Sequence, residues 1–278
     1  MAAHEKYLYS QMSIGPRHAS EACEVCHNSI SSLLCSTFMT ESLTSAVDYT
    51  RLEIQTFWSE EVERVMANKD SSIIIKATAT SSPSSTEIVG CAVFEKVSLE
   101  ELQERQELVD LKLDPIEFAL LQMRKEFWAI YSGRYLSSGP VYRMTYLAVA
   151  KEHERQGIAG HLVDVGVDHI KRSFNTQSNS DSDSDRCSSK SKVVVYTEAS
   201  SIGTVRICEK RKWACWRKFK LGDLSSGYYK LLESINARSN HCDDGDGDGD
   251  VSVSFKEFCP IDREEEVHLQ VLEDLGCM

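Results

Sequence analysis

The sequence predicts a mixed α/β (α+β) protein with a central sheet of about six to seven strands flanked by helices. Two observations lead to this class. Short segments of apolar and β-branched residues alternate along the chain with longer segments of helical periodicity. The 278 residues, of which 41% are hydrophobic, are also enough to bury a substantial core. We therefore predict a single domain, 1–278, that carries inserts.

The first five elements are predicted from periodicity. Alternating residues predict a strand over 6–13, and apolar residues at every third or fourth position predict a helix over 19–34. A second helix is predicted over 52–68, where apolar and acidic residues mix. Two strands follow over 72–79 and 87–97, joined by a turn rich in Ser and Pro.

The middle of the chain contains a helical insert and then a strand that leads into a helix. Residues 98–131 are rich in Leu, Glu, Gln and Lys, and Pro115 interrupts them. We predict two helices that meet at this proline, within an insert spanning 98–135. A strand over 142–149 then continues, after a short loop, into a strong helix over 157–172.

The last third of the chain begins with a polar insert. Residues 173–191 are mainly Ser, Asp and Asn, which bury too little apolar area to offset chain entropy, so we predict a flexible segment. The remaining elements are a strand over 193–196, a helix over 202–212, and strands over 213–219 and 268–272.

An acidic segment precedes the last strand, and we predict that 236–251 forms a solvated hairpin loop. Asp244, Asp246 and Asp248 have the spacing of a calcium loop. Phe255 would stand at the twelfth position, where a bidentate carboxylate is required. A solvated loop is therefore favoured over a calcium site.

Charge and cysteine content narrow the classes of function. The formal net charge of −12 opposes binding to a polyanion, so we expect no nucleic-acid partner. Ten cysteines scattered through an ordinary globular composition favour reduced thiols over a disulfide framework. Cys23 and Cys26 have metal-ligand spacing, but no second pair follows, so we expect no metal.

No stretch of the sequence approaches the roughly 20 apolar residues that cross a bilayer, and residues 1–10 lack an apolar signal-peptide core. We expect a cytoplasmic protein with no membrane partner. The sequence makes no prediction of oligomeric state.

The loop that joins the 142–149 strand to the next helix is the strongest candidate site. Gly157, Ala159 and Gly160 carry little or no side chain at the point where the helix begins. Amides at a helix start have no acceptor within the helix, and the helix dipole favours an anion there. A pyrophosphate is therefore a candidate ligand. The alternative is that the glycines only permit tight packing of helix against strand.

The segment Glu154-Arg155-Gln156-Gly157-Ile158-Ala159, preceded by Leu147 and Val149, resembles the acyl-CoA signature of the GCN5-related N-acetyltransferase (GNAT) superfamily. That signature is Arg/Gln-x-x-Gly-x-Gly/Ala after a strand ending Leu-x-Val, and Glu154 departs from it. The resemblance implies the GNAT fold and acetyl-CoA as co-substrate. The cofactor-binding residues that it implies are Leu147, Ala148, Val149, Arg155, Gln156, Gly157, Ile158, Ala159 and Gly160.

A downstream segment extends the resemblance. Residues 207–213 are similar to the family segment Leu-Tyr-Glu-Lys-x-Gly-Phe, which places Cys208 where many members carry a tyrosine that protonates the departing CoA thiolate. The alternative is a buried apolar cysteine. Ser201 stands where subfamily members place hydroxyl groups near the thioester, and an ordinary helix N-cap is the alternative.

Residues 38–44 resemble the Phe-x-x-Glu-Pro-Leu-x segment of insect-type arylalkylamine (dopamine) N-acetyltransferases, with Ser42 in place of the proline. The glutamate acts there as a general base through water, which implies this role for Glu41. An alkylammonium must lose a proton before it attacks a thioester. The alternative is that Glu41 lies at the surface near a helix end. Residues 220–223 and 253–256 are similar to that subfamily's last hairpin.

Together these features predict an acetyl-CoA-dependent N-acetyltransferase that transfers the acetyl group to a primary amine, a small aryl- or alkylamine, by direct attack. Two alternatives stay open. A peptide or protein N-acetyltransferase would need an open groove, and a non-catalytic acyl-CoA-binding module would be consistent with the departures at Glu154, Ser42 and Cys208.

Overall fold

The computed structural model describes residues 6–12, 20–39, 49–68, 70–80, 87–97, 115–135, 140–178, 193–239 and 266–272. Within these ranges the strands and α-helices are, in chain order, β1 (Tyr7–Gln11), α1 (Ser20–Phe38), α2 (Arg51–Ala67), β2 (Ser72–Ala79), β3 (Ile88–Val97), α3 (Pro115–Tyr135), β4 (Val141–Val149), α4 (Ile158–Ser178), β5 (Val194–Ala199), α5 (Ile202–Lys210), β6 (Ala214–Lys220), α6 (Leu221–Ser239) and β7 (Glu266–Leu272).

The strands form one mixed seven-stranded sheet in the order β1-β2-β3-β4-β5-β7-β6. Among the described strands, β4 and β5 pair in parallel and the other neighbours pair antiparallel. The helices flank this sheet, so the predicted fold class is confirmed. The parallel pair at the centre of the sheet is the part of the fold that matters for function.

Two apolar layers enclose the sheet. Ile74 of β2 packs with the buried side chains of α1 and α2, including Ile30, Leu34, Trp58 and Val62. Its neighbours Ile73 and Ile75 point to the opposite face, as successive strand residues must, and pack with α4. The buried residues of α4 on that face are Ile158, Leu162, Val163, Val167 and Ile170.

Helix α2 begins at a capping box that its sequence specifies. The Thr50 hydroxyl accepts from the Glu53 amide at 3.2 Å, and the Thr50 amide donates to the Glu53 carboxylate at 2.7 Å. Two amide donors at the helix start are thereby satisfied. This cap fixes the residue at which α2 begins.

Helix α4 lies close to β3 because it carries a glycine at the contact. A Cβ placed on Gly166 would come 2.1 Å from Phe94 Cε2 and 2.5 Å from its Cζ. Phe94 is fully buried, so the ring fills the space that any larger residue would need. The close approach sets the position of α4, and with it the loop at its start.

Two helices extend beyond their predicted ends. Helix α1 continues to Phe38 instead of ending near residue 34. Helix α4 continues to Ser178, so the first six residues of the predicted flexible insert 173–191 are helical. Phe174 gives the physical reason, because it packs half-buried against the core. The remainder of that insert, 179–191, lies outside the described residues.

The prediction of a terminal hairpin is wrong in one respect. β6 and β7 are antiparallel neighbours, but Lys220 ends β6 and α6 begins at once at Leu221. Residues 236–239 of the predicted acidic loop therefore belong to a helix. Leu221, Leu224 and Tyr228 are buried at helical spacing, which is the signal that the sequence interpretation missed.

Several predictions fall on residues outside the described ranges. They are the first helix of the 98–135 insert, the segment 253–256, and the aspartates of the acidic segment. The second predicted helix of the insert is observed as α3, which starts at Pro115 as expected of a proline in the first turn. In the described part of the chain, no helix combines the length and apolarity of a membrane span.

Candidate active site

The central feature of the site is a notch where β4 and β5 separate. Their parallel pairing covers Val141↔Val194, Tyr142↔Val195 and Arg143↔Tyr196. Beyond Arg143, β4 continues to Val149 and β5 to Ala199 without further pairing of the two strands. The two strand ends therefore diverge in the middle of a continuous sheet.

The backbone of β4 presents polar groups to this notch. The Ala150 amide donates to the Val89 carbonyl at 2.8 Å, which orients residue 150 toward β3. Backbone groups alternate between the two edges of an antiparallel strand, so Ala148 also faces β3 while Leu147 and Val149 face the notch. The sequence interpretation placed Leu147, Ala148 and Val149 at the site, and the structure distinguishes the two whose amides point into it.

The loop at the end of β4 adopts the conformation expected of an anion cradle. A short 3₁₀ turn, Lys151–His153, leads to Arg155 and Gly157, which both have positive φ (60° and 83°). The His161 amide donates to the Gly157 carbonyl as α4 begins and is the first amide with an acceptor in the helix, so the amides of Ile158, Ala159 and Gly160 before it are left for a ligand. These donors and the helix dipole favour an anionic ligand.

Gly157 is a glycine for conformational reasons. A Cβ at this position would meet nothing within 4 Å, so space does not require glycine there. Its φ of 83° lies in the left-handed region, which L side chains rarely adopt. The loop backbone therefore depends on this residue for its conformation, whereas the sequence interpretation had considered only its small size.

β1 fixes the loop from the side. The Tyr7 hydroxyl donates to Gln156 Oε1 at 2.6 Å and lies 3.0 Å from His153 Nδ1. Arg155 and Gln156 are both exposed, but the Gln156 side chain is hydrogen-bonded within the protein. Of these two predicted cofactor residues, Arg155 is the one whose side chain is positioned to meet a ligand in solvent.

Gly160, at the start of α4, lies against the side chain of Arg211, which follows α5. A Cβ on Gly160 would come 2.5 Å from Arg211 Nη2. Arg211 follows α5 and makes a bidentate ion pair with Asp164 of α4, at 2.6 and 2.7 Å. This contact ties the start of α4 to the end of α5, and nothing in the sequence pattern indicated it.

The face of β4 toward α2 carries a largely buried network of charged side chains. Glu95 on β3 accepts from Arg64 at 2.8 Å, from Arg143 at 3.0 Å and from the Thr145 hydroxyl at 2.6 Å. Burial alone would raise the pKa of Glu95, but these hydrogen bonds and the nearby guanidinium charges lower it to about 2. Glu95 is therefore ionised at neutral pH.

A second carboxylate extends the network toward the open end of β4. Glu61 accepts from Arg64 and, at 2.5 Å, from the Tyr146 hydroxyl. Burial opposes ionisation, but the hydrogen bonds from Arg64 and Tyr146 lower the pKa of Glu61. Burial and the charge of Glu61 raise the pKa of Tyr146 well above its ordinary range, so Tyr146 stays a hydrogen-bond donor.

Aromatic side chains surround Tyr146. Its ring meets Trp58 edge-on at 4.9 Å between centroids, and Phe38 at 6.1 Å. Phe38 is the last residue of α1 and stacks on Trp58 at 4.9 Å. The end of α1 therefore lies beside β4. The predicted base, Glu41, follows Phe38 in the sequence. Glu41 itself, with Ser42, lies outside the described residues.

Helix α5 carries the other two predicted catalytic residues. Ser201 is its N-cap and accepts from the Thr204 amide at 3.2 Å, so the N-cap alternative is confirmed. Cys208 is fully buried in the core between α4 and the sheet. The predicted alternative, a buried cysteine, is therefore confirmed. Burial raises the pKa of its thiol to about 12. Catalytic roles for both residues stay predictions.

Metal ligands and disulfides were searched for in the described ranges. No group of three or more His, Cys, Asp or Glu side chains able to hold a metal occurs there. The described cysteines Cys26, Cys35, Cys91, Cys208 and Cys215 form no disulfide with one another. The side chain of Cys23 lies outside the description.

The fold resembles solved N-acetyltransferases over nearly its whole length. A mosquito arylalkylamine N-acetyltransferase-like protein (5b) matches with a TM-score of 0.58 and 14% identity, covering 96% of this chain and 100% of that one. Arylalkylamine N-acetyltransferase 2 from Aedes aegypti matches at 0.54 and 12%, covering 96% and 98%. A Drosophila melanogaster polyamine N-acetyltransferase, described as forming N-acetylagmatine, matches at 0.53 and 12%, covering 96% and 100%.

No protein-family model matches the sequence, and no curated protein is significantly similar to it. At 12–14% identity, the structural matches establish the fold and leave the acceptor open. Sheet order, the notch and the loop at the start of α4 agree with the resemblance found in the motif. The chain has the fold of the GCN5-related N-acetyltransferases.

Proposed function

We propose that this protein is an acetyl-CoA-dependent N-acetyltransferase that acts on a small primary aryl- or alkylamine. One observation carries the proposal: the diverging ends of β4 and β5 open directly beside the α4 N-terminus. An acyl thioester and a pyrophosphate are joined by a long arm in CoA, so a notch next to an anion cradle suits both parts of one ligand.

The residues of the cradle fit a pyrophosphate. Backbone amides of residues 158–160 supply the donors, and Gly157 leaves open space at the loop. Arg155 is exposed there and adds a positive charge. Because the donors are mainly backbone groups, Glu154 in place of the family's Arg or Gln is compatible with binding.

The acyl end would lie against β4. The amides of Leu147 and Val149 point into the notch, where a thioester carbonyl is to be polarised. A donor that is already oriented stabilises the developing oxyanion without reorganisation, which supplies a few kcal/mol in comparable sites. No covalent intermediate on the protein is needed, since the amine attacks the thioester directly.

The proposed general base is Glu41, acting on the amine through water. Support comes from chain connectivity: Phe38 contacts Tyr146 on β4, and three residues span at most about 11 Å, a length that allows Glu41 to serve an amine at the open end of β4. Glu61 is a poorer candidate, because its ion pair with Arg64 lowers its pKa.

Solvent is the preferred proton donor to the departing CoA sulfur. Cys208 occupies the position that the resemblance assigns to a donor, but it is buried, and a thiol with a pKa of about 12 is a weak acid. A cytoplasmic location is part of this proposal, and the absence of disulfides among the described cysteines is compatible with it.

The direct test is CoA release from acetyl-CoA with a panel of aryl- and alkylamines. Glu41→Gln should lower kcat roughly 100-fold or more and remove the acidic limb of the pH–rate profile, because a general base contributes about that much. Glu60→Gln, an exposed carboxamide control on α2, should leave kcat unchanged.

Other outcomes of this test point to the alternatives. Transfer to peptide amines but not to free amines would favour a peptide or protein N-acetyltransferase. Saturable acetyl-CoA binding with no turnover on any amine, unaffected by Glu41→Gln, would mean a non-catalytic acyl-CoA-binding module.

A further inference from the structure

The notch begins at a side-chain hydrogen bond. The last paired residues of β4 and β5 are Arg143 and Tyr196, and the next carbonyl of β4 belongs to Met144. In a continuing parallel ladder a backbone amide of β5 would donate to it. Instead the Thr197 hydroxyl donates to the Met144 carbonyl at 2.9 Å, and both residues are buried.

On its other edge, β4 is bent at the same level by a bulge. Phe94 pairs with Met144 and Val93 pairs with Tyr146, so Thr145 is an extra residue that opposes none on β3. A bulge bends its strand and increases the local twist. The bend occurs one residue after Met144, where β4 turns away from β5.

The bulge is held by the charged network. The Thr145 hydroxyl donates to Glu95 at 2.6 Å and accepts from Arg143 Nε at 3.3 Å. Arg143 and Arg64 in turn hold the Glu95 carboxylate. The side chain of Thr145, the extra residue, therefore holds it to β3, and both this hydrogen bond and the backbone determine its orientation.

We propose that Thr145 and Thr197 are positioning residues that fix where β4 parts from β5 and thereby aim the Leu147 amide at the thioester carbonyl. Leu147 lies two residues after the bulge, so the direction of its amide depends on how the strand leaves it. The inference rests on the proposed function, because it assumes that an acyl thioester occupies the notch.

Valine tests the hydroxyl at each position while keeping the branched shape. Thr197→Val leaves the buried Met144 carbonyl without its donor, and Thr197→Ser restores the donor. The probes are acetyl-CoA, CoA, and 3′-phospho-ADP, which reaches only the cradle. We expect Thr197→Val to weaken acetyl-CoA binding about tenfold by calorimetry, with 3′-phospho-ADP changed less than about twofold, and Thr197→Ser to behave like wild type.

Thr145→Val and Thr145→Ser form a second pair, useful if Thr197→Val does not fold, because Thr145 is only half-buried. Thr78→Val on β2, two strands away from β4, is the matched control and should change no affinity. A structural role alone would weaken all three probes equally. Three results would overturn the proposal. They are equal weakening of all three probes, unchanged acetyl-CoA affinity in both valine variants, and failure of the serine variants to restore binding.

This experiment also separates the inference from the proposed function. If wild-type protein binds acetyl-CoA but transfers acetyl to no amine, the enzymatic proposal fails, while the ratio of acetyl-CoA to 3′-phospho-ADP affinity still decides the role of the two threonines. If amines are acetylated, the valine variants should in addition lower kcat/KM by about tenfold.

Discussion

Glu95 should make the stability of the protein depend on pH in a defined way. Its side chain is 10% exposed and is held between Arg64 and Arg143. Its pKa is lowered from an ordinary 4.5 to about 2. Each pKa unit is worth about 1.36 kcal/mol, so the difference corresponds to about 3 kcal/mol of folding free energy at neutral pH.

The sign of the effect follows from proton binding. Between the two pKa values the unfolded chain binds more protons at this carboxyl than the folded protein does. The stabilisation is therefore fully present above about pH 5, and about 2 kcal/mol of it is lost by pH 3. Glu95→Gln removes the charge and leaves the two arginines without it, so the variant should be less stable at pH 7 and approach wild type near pH 3.

Denaturant unfolding of wild type and Glu95→Gln at several pH values measures this difference. Glu24→Gln, at an exposed position of α1, controls for the change of charge and should follow the wild-type curve. If the free-energy difference between wild type and Glu95→Gln stayed constant from pH 7 to pH 3, the reasoning about the network would be refuted.

Three further substitutions test the local structure. Gly166→Ala should destabilise by about 1–3 kcal/mol because its Cβ would overlap the buried Phe94 ring, and Phe94→Leu in the same chain should recover part of that loss in thermal unfolding. Lys212→Gly should stabilise by up to about 1 kcal/mol, since Lys212 has a φ of 62° after α5; an unchanged unfolding midpoint would count against strain there. Ser201→Ala should cost about 1 kcal/mol as a lost N-cap, and a fall in kcat beyond that expected from the unfolded fraction would show a role in catalysis.

Sequence periodicity predicted most of this fold because the buried faces repeat locally. The run of isoleucines in β2 and the three-to-four spacing in α4 are visible in the chain itself. α6 was missed although Leu221, Leu224 and Tyr228 carry the same spacing. It follows β6 without a loop, so no turn signal separated the two elements.

The cradle and the end of β4 that leads to it were predictable from the sequence, but the side chains that hold the notch were not. Glycine readily adopts a left-handed conformation, and Gly157 has one in the structure. Its place between a predicted strand and a predicted helix indicates a loop at a helix start. Thr145 and Thr197 have no such signal, because a bulge and a strand divergence depend on register. The Tyr146–Glu61 hydrogen bond joins residues 85 positions apart, which only the folded chain brings together.

Lys212 has a backbone conformation that the family segment predicts and that its own residue type does not. The similar family segment has glycine at this position, and the structure shows a positive φ there. The family resemblance therefore indicates a left-handed conformation at this position, which a lysine alone would not suggest.

The most direct test of the central claim is calorimetric titration of acetyl-CoA into wild type and Gly157→Glu. A carboxylate at a position with φ 83° would strain the loop and place negative charge beside the cradle, so binding should be lost. Lys96→Glu, an exposed change near the opposite end of β4, should bind as wild type does. Undiminished affinity in Gly157→Glu would contradict the account and place the acetyl-CoA site elsewhere.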